Sequence, residues 1–383
     1  MATRMHVAPA LLAWAVERSG LQEAQIISAF PRFLDWLREG ATPTLKELDQ
    51  FAHRTRTPLG YLFLEEPPEE PTPIHDFRTW GNAPVKHPSV DLLETIYECQ
   101  RRQAWYRDYA QSLGLDAPKC VGSVNVQSPS NDAAEAIVRA LGLAPSVRDK
   151  WTSDDDSWKW LITSIESLGI LVMVNGIVGN NTHRKLNPAE FRGFALADEW
   201  APVIFVNGAD SRPSRAPLIF TLVHELAHIW AGDTGLSSVN PLATQGQESE
   251  MWANRVAAEV LVPAIELASI WTNATTDGLL NVRRVFHVST LVILKKALDC
   301  NLLKWAEYQE AYSREWDRVS STVAAQSNGG NFYYSQPYRV SRRLARAIVS
   351  DTLEGRTLFT EAYSLIGTRK HSTFEGLAKV VMA

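Results

Sequence analysis

The sequence predicts a mostly helical α+β protein built from several domains. Its 383 residues exceed the size of a typical single domain, which is about 100 to 200 residues. Helical spacing of apolar residues dominates the chain, whereas strand-like runs are confined to residues 170–208. Hydrophobic residues make up 45% and charged residues 21%, which is typical of a folded, soluble protein.

The composition also excludes several classes of protein. No apolar stretch reaches the roughly 18 residues needed to cross a bilayer, so no membrane partner is expected. Cys99, Cys120 and Cys300 are far apart and odd in number, which argues against a disulfide framework and against a thiolate zinc site. The net charge of −5 gives no global attraction to nucleic acid. These features favour a cytoplasmic protein.

Residues 1–64 are predicted to form an all-helical N-terminal domain. The order WLREG, PTLKELDQFA and TPLGYLF resembles the Xre/Cro-like helix-turn-helix family, in which short helices surround a recognition helix. PRFLDWLREG would be that helix, and it offers Arg32 and Arg38 as candidate contacts to nucleic acid or a partner. Residues 1–64 carry seven Lys/Arg against six Asp/Glu, so a protein-docking role stays open beside DNA binding.

Residues 65–88 are predicted to be an extended linker, because they hold six prolines and four glutamates. Residues 89–328 form the predicted central domain, which begins with a long amphipathic helix at 89–113. Helical patterns at 132–142 and 156–168 then precede three predicted strands, ILVMV at 170–174, FALA at 194–197 and PVIFVNG at 202–208. The third strand is either an exposed edge for an extended substrate or a core strand.

The remaining chain is predicted to be helical. Residues 282–303 either form a second helix-turn-helix-like pair or pack beneath the candidate site, and residues 329–383 form a small C-terminal helical unit. Residues 331–383 carry eight Lys/Arg against four Asp/Glu, and four arginines recur at helical spacing: Arg339, Arg342, Arg343 and Arg346. This cluster is either a surface for an anionic partner such as nucleic acid or a solvated face.

The stretch TLVHELAHIW at 221–230 contains two histidines four residues apart. On a helix, His224 and His228 project from one face and can share one zinc ion, with bonds of about 2.0 to 2.1 Å. Glu225 lies beside them, where it can take a proton from water activated at the metal. The apolar flanking residues predict that this helix is buried. The alternative is an apolar helix that carries two histidines by chance.

A catalytic zinc ion needs a third protein ligand and one open position. The downstream stretch QESEMWANRVAAEVLVP offers Glu248, Glu250 and Glu259. Glu250 shares a helix face with Asn254 and Ala257, and alanines let two helices approach closely, so Glu250 is the predicted ligand. Glu259 follows about 2.5 helical turns later and points to the opposite side. There it could support the site or pair with an arginine.

HELAHIW together with ESEMWANRVAAEVLVP resembles the ImmA/IrrE family of zinc-dependent endopeptidases, whose second motif is E-x-x-(A/C)-N-x-x-A-A-E-x-L-x-P. The likeness extends to FRGFALADEWAPVIFVNG, FHVSTLVILKKAL and GGNFYYSQPYRVSRRLARAIV, and so covers nearly the whole chain. In one subgroup of the family an Xre-type domain precedes the peptidase. His75 in PIHDFRT is a departure, since proline is more frequent there, and this histidine could reach the open metal position.

The resemblance implies a zincin-like metallopeptidase core with one Zn²⁺ per chain. By position, His224, His228 and Glu250 resemble the metal ligands, and Glu225 resembles the catalytic base. The residue that would stabilise the oxyanion is not selected by the sequence. The candidates for that role are His183, Arg184, Tyr333 and Tyr334.

Two functions are compatible with these features. In the first, the protein is a regulatory endopeptidase that cleaves a repressor or an antitoxin-type protein in a stress, phage or toxin–antitoxin setting. In the second, it is a DNA-binding regulator or antitoxin that holds a cognate toxin, with zinc as a structural element. The intact glutamate of HELAH favours the first function, because a structural zinc site is normally closed by a fourth protein ligand and needs no base.

Overall fold

The computed structural model describes residues 3–38, 42–76, 88–210, 214–237, 248–322 and 332–382. By its internal contacts the chain divides into two compact units. The first unit comprises Met1–Pro73 and Val85–Ile96, and the second comprises Ile74–Pro84 and Tyr97–Ala383. The second unit holds the predicted C-terminal segment and the predicted central domain from Tyr97 onward, whereas residues 89–96 of that domain belong to the first unit. Their separation at residue 328 stays a prediction, as do the boundaries of the N-terminal domain and the linker.

The first unit is helical through the described part of residues 3–73. Its helices are α1 (Pro9–Ser19), α2 (Glu23–Ala29), α3 (Phe33–Trp36) and α4 (Leu45–Thr55), followed by a 3₁₀ helix (Leu59–Phe63). Helix α4 begins with a capping box, in which the Thr44 hydroxyl accepts from the Glu47 backbone N–H. The core is formed by apolar side chains from α1 to α4 and the 3₁₀ helix.

The segment expected to be a recognition helix contains only the four-residue helix α3 within its described residues 31–38. Both ends of α3 turn aromatic side chains into the core. Phe33 stacks on Phe51 with ring centroids 5.7 Å apart, and Trp36 meets the same ring edge-on at 6.2 Å. The segment therefore serves mainly to pack the core, and its helix is one turn long.

A five-stranded sheet lies within the second unit. Its strands are β1 (His75–Asp76), β2 (Leu171–Asn175), β3 (Gly193–Leu196), β4 (Val203–Asn207) and β5 (Gly235–Ser237). The strand order is β1-β5-β3-β4-β2. Strand β3 is antiparallel to both of its neighbours, while β2 and β4 are parallel, as are β1 and β5. The three strands predicted from the sequence are confirmed as β2, β3 and β4.

Strand β4 is an interior strand, so the interpretation of residues 202–208 as an exposed edge is wrong. It pairs with β2 on one side and β3 on the other, and all five of its residues are buried. Phe205 of β4 stacks on Phe194 of β3, with ring centroids 4.9 Å apart. The continuous apolar character of VIFV is therefore that of a strand covered on both faces.

Helices make up most of the chain, which confirms the mostly helical α+β class. Helix α5 (Val90–Ser112) contains the point at which the two units divide. The remaining helices all lie in the second unit: α6 (Ser130–Leu141), α7 (Pro145–Arg148), α8 (Asp154–Ser167), α9 (Ala216–Ala231), α10 (Glu248–Leu261), α11 (Ala264–Ile270), α12 (Thr276–Phe286), α13 (Thr290–Asp299), α14 (Trp305–Thr322), α15 (Phe332–Val340), α16 (Arg342–Leu353), α17 (Phe359–Ile366) and α18 (His371–Val381).

The predicted helix pair at 282–303 corresponds to α12 and α13. The Ser289 hydroxyl caps α13 by accepting from the Val292 backbone N–H. Phe286 and Val292 belong to the same buried apolar cluster as side chains of α9 and α10. The pair thus packs into the same core as α9 and α10, which carry the candidate site. This agrees with the interpretation that residues 282–303 pack against the site. No helix in the described ranges is long and apolar enough to span a membrane.

Candidate metal centre

Helix α9 carries the HELAH motif and is buried along nearly its whole length. Pro217 stands in its first turn, where a missing backbone N–H costs nothing, and Gly232 ends the helix in a left-handed conformation with φ of 76°. His224 and Glu225 are 0% exposed, and His228 is 1% exposed. A helix that is apolar on all sides becomes a core element. The two histidines and the glutamate are the titratable exceptions in that setting, beside the buried hydroxyl of Thr221.

Helix α10 packs against α9 and presents Glu250 to it. Glu250 lies in the first turn of α10 and is 8% exposed. Ala253 and Ala257 are completely buried, and their small side chains allow the two helices to approach closely. Glu250 is therefore held at a fixed position by packing.

The structure brings His224, His228 and Glu250 together. Glu250 Oε1 lies 3.0 Å from His228 Nε2, and Oε2 lies 3.5 Å from His224 Nε2. The two Nε2 atoms are 3.1 Å apart. One potential ligand atom from each residue lies within 4.8 Å of the others, and in the described part of the chain no further His, Cys, Asp or Glu joins this group.

The electrostatics of the cluster favour an ionised carboxylate. Burial raises the pKa of Glu250, but the imidazoles of His224 and His228 outweigh burial and hold that pKa below its ordinary value. Burial lowers the pKa of His224. Burial also acts to lower the pKa of His228, but the nearby carboxylates of Asp233 and Glu250 outweigh it and raise this pKa to about 10. The carboxylate oxygen is thus kept negative and ready to bind a cation.

The donor set fits a zinc ion. Two imidazole nitrogens and one carboxylate oxygen are a ligand combination found in catalytic zinc sites, where a fourth position is left for water or substrate. All three donors are buried, and they converge from two packed helices. Burial of such groups is costly unless they are paired, so a convergence of this kind marks a group that could hold a cation.

Comparison with known families also points to a metallopeptidase domain in this part of the chain. Residues 165–298 match the family model described as the IrrE N-terminal-like domain. This match supports a likeness of residues 165–298 to the ImmA/IrrE family. The family is one of metallopeptidases, and the matched range contains His224, Glu225, His228 and Glu250. It also runs from the end of α8 through the zincin-like core to α13.

A second match covers residues 340–379, which correspond to a domain of unknown function, DUF8813. This range includes helices α16 and α17 and most of α18. Neither family match reaches residues 1–64, so the helix-turn-helix subgroup stays a prediction. The comparisons with curated proteins and with solved structures each returned no match.

Glu225 of the ImmA/IrrE-type domain lies where α9 faces β3. A Cβ atom placed on Gly193 would come within 2.7 Å of Glu225 Oε1, 2.9 Å of the Phe205 carbonyl oxygen and 2.9 Å of Thr221 Cγ2. Only glycine lets the backbone of β3 approach the carboxylate so closely. Gly193 was not among the predicted site residues, although it directly precedes the predicted strand FALA, where a glycine is a signal of close backbone approach.

Two further residues act on the imidazoles and were not predicted to do so. Asn254, one turn after Glu250 on α10, acts to raise the pKa of His224 against the larger lowering effect of burial. Asp233, just beyond the end of α9, places Oδ2 at 3.8 Å from His228 Nδ1. Metal-binding histidines in proteins usually have such partners, which fix the orientation of the ring.

Glu259 and His75 lie away from the cluster. Glu259, near the other end of α10, forms an ion pair with Lys296 of α13, so the predicted arginine partner is a lysine. His75 lies in β1 and is exposed, and it does not join the ligand group. Among the oxyanion candidates, His183 is exposed and Arg184 is half-buried. The side chains of Tyr333 and Tyr334 lie outside the described residues.

The structure places the candidate arginines of the N-terminal domain on the surface. Arg32 and Arg38 are both exposed, and Arg38 lies 3.5 Å from Asp35. An exposed pair of this kind contributes little to stability. Arg32 and Arg38 are therefore sterically accessible to a partner.

The four arginines of the tail do not form one continuous helix face, because they lie on two helices. Arg339 lies near the end of α15, whereas the other three lie in α16. Arg343 donates to the Tyr106 hydroxyl at 2.6 Å and to the Glu166 carbonyl oxygen at 3.1 Å. The other three also make contacts inside the unit. Their partners are the Asn180 side chain for Arg339, the Tyr338 ring for Arg342 and the Val381 carbonyl oxygen for Arg346.

Proposed function

We propose that the protein is a zinc-dependent endopeptidase that cleaves a regulatory protein, either a repressor or an antitoxin-type protein. The observation that carries the proposal is the convergence of His224, His228 and Glu250 within 4.8 Å, beside the buried Glu225. A structural zinc site would be closed by a fourth protein ligand. The described residues provide three, which favours the enzyme over a regulator with a purely structural metal.

Each side chain of the site has a distinct proposed role. His224, His228 and Glu250 would hold one zinc ion, which would supply Lewis-acid activation of the scissile carbonyl and of water. Glu225 accepts the proton of the attacking water and later donates it to the leaving amine. Gly193 allows β3 to lie against the Glu225 carboxylate and so fixes its position. The buried surroundings exclude bulk water from these groups.

We further propose that residues 1–64 are a helix-turn-helix-like unit that guides the enzyme to its target. Their charge is nearly balanced, which favours a protein partner over DNA. Arg32 and Arg38 are exposed and remain the candidate contacts in either case. The proposed setting is the cytoplasm, in a stress, phage or toxin–antitoxin system.

The test combines metal analysis with a cleavage assay. Purified protein should contain about one zinc ion per chain, and it should cleave a protein encoded by a neighbouring gene in a reaction that a chelator stops and added zinc restores. Glu225→Gln should keep the zinc and lose cleavage by on the order of 10² to 10⁴-fold, because the general base is removed. Full cleavage by Glu225→Gln would rule out this mechanism. Tight binding of a neighbouring toxin without cleavage would favour the antitoxin function instead.

A further inference from the structure

Asp233 is anchored to the turn of α9 that carries His228. The left-handed Gly232 turns the chain at the end of the helix, and the Asp233 backbone N–H then donates to the His228 carbonyl oxygen at 2.9 Å. The turn packs against Gly122, whose backbone N–H donates to the Ile229 carbonyl oxygen at 3.1 Å. The Cβ of a residue in place of Gly232 would lie 3.1 Å from the Gly122 Cα. Asp233 thus follows a tightly fixed turn.

The Asp233 carboxylate contacts both helices of the metal centre. Its Oδ2 accepts a hydrogen bond of 2.5 Å from the Ser249 hydroxyl, and Ser249 directly precedes Glu250 on α10. The same oxygen lies 3.8 Å from Nδ1 of His228. The opposite ring nitrogen, Nε2, is the one that faces Glu250 and His224. One carboxylate therefore lies behind a ligand of α9 and beside a ligand of α10.

The two histidines have chemically different partners. The residue on α10 that acts on the pKa of His224 besides Glu250 is Asn254, a neutral amide, whereas Nδ1 of His228 lies 3.8 Å from a carboxylate of the segment that follows α9. A neutral imidazole binds a metal through one nitrogen only when its proton is on the other. An anion behind Nδ1 favours the proton on that atom and leaves the Nε2 lone pair free for the cation.

We propose that Asp233 is a positioning residue that selects the metal-binding tautomer of His228 and, through Ser249, holds Glu250 in register with it. This inference rests on zinc binding by the cluster, not on the nature of any substrate. Asp233 touches no reacting atom. Its loss is therefore expected to change the geometry and affinity of the metal site while the fold is retained.

The test measures zinc affinity directly, by competition between the full-length protein and a chromophoric chelator. Asp233→Asn and Asp233→Ala should weaken zinc binding by about 10 to 100-fold, which is typical for loss of a residue that supports a metal ligand. Ser249→Ala should act in the same direction by less than about 10-fold, because it removes only the contact to α10. Asp233→Glu should restore part of the affinity. The matched control is Glu248→Gln, which removes an exposed charge from the same end of α10 and should leave the affinity unchanged.

A spectroscopic readout separates positioning from a loss of folding. With cobalt(II) in place of zinc, the visible absorption bands of Asp233→Asn should differ in position or intensity from those of the wild type, while far-ultraviolet circular dichroism of the metal-free proteins stays the same. Wild-type affinity and an unchanged cobalt spectrum in both Asp233 variants would overturn the inference. Failure of the wild type to bind zinc would overturn it together with the proposed function. A wild type that binds zinc but cleaves nothing would remove only the peptidase.

Discussion

Helix α10 carries two poorly exposed glutamates, Glu250 and Glu259, whose carboxylates have different kinds of partner. Glu259 pairs with Lys296, and its other oxygen accepts from the Ala264 backbone N–H at 3.2 Å. Glu250 faces two imidazoles, which carry no fixed charge and can bind either a proton or a metal ion. A carboxylate that already has a permanent cation stabilises the fold. A carboxylate whose partners can themselves bind a metal ion forms a candidate metal site.

The largest difference is expected between Glu250→Gln and Glu259→Gln. Glu250→Gln removes an anionic ligand, so zinc affinity should fall by more than about 100-fold, beyond the usual effect of losing a supporting residue. Glu259→Gln should leave zinc affinity unchanged and lower the free energy of unfolding by about 1 to 3 kcal/mol, because Lys296 loses its charged partner. Chelator competition and chemical denaturation measure the two effects. Similar zinc affinities in the two variants would show that Glu250 is no more a metal ligand than Glu259 is.

A smaller difference is expected between two glycines of the sheet region. Gly193→Ala should lower cleavage by more than about 10-fold, since the new methyl group must displace either Glu225 or the β3 backbone. Zinc should still bind, because Gly193 contacts none of the three ligands among its nearest atoms. Gly208→Ala is the matched control, since its Cβ would make ordinary contacts at 3.5 Å or more. Equal kcat values in the two variants would show that Glu225 does not depend on this close approach.

The sequence was sufficient for features that depend on local periodicity. Spacing of four residues placed His224 and His228 on one helix face, and the alanines of α10 indicated that Glu250 could approach them. The same reasoning directed Glu259 away from the cluster. Continuous apolar runs of about five residues located β2, β3 and β4 but did not reveal that β4 is interior. That position depends on which strands pair, and pairing is a long-range property.

Features that depend on tertiary packing could not be predicted in the same way. Strands β1 and β5 contain only two and three residues, too few to show an alternating pattern. Asp233 follows the end of α9, where helical spacing no longer tells which way a side chain points. The closeness of Gly193 to Glu225 arises from the packing of a sheet on a helix. In each case the decisive contact joins elements whose arrangement no local pattern encodes.

The smallest expected effects concern the tail. There Arg343, like Glu259, is a charged residue whose contacts stabilise the fold and form no site. Arg343→Ala removes its hydrogen bonds to Tyr106 and Glu166, so the free energy of unfolding should fall by about 1 to 3 kcal/mol. Arg342→Ala removes an exposed side chain lying over the Tyr338 ring and should change that free energy by less than about 0.5 kcal/mol. Chemical denaturation of both variants measures these changes in the free energy of unfolding. The zinc affinity of both variants should equal that of the wild type. An unchanged stability in Arg343→Ala, together with loss of binding to a labelled DNA duplex in both variants, would instead make the tail a surface for an anionic partner.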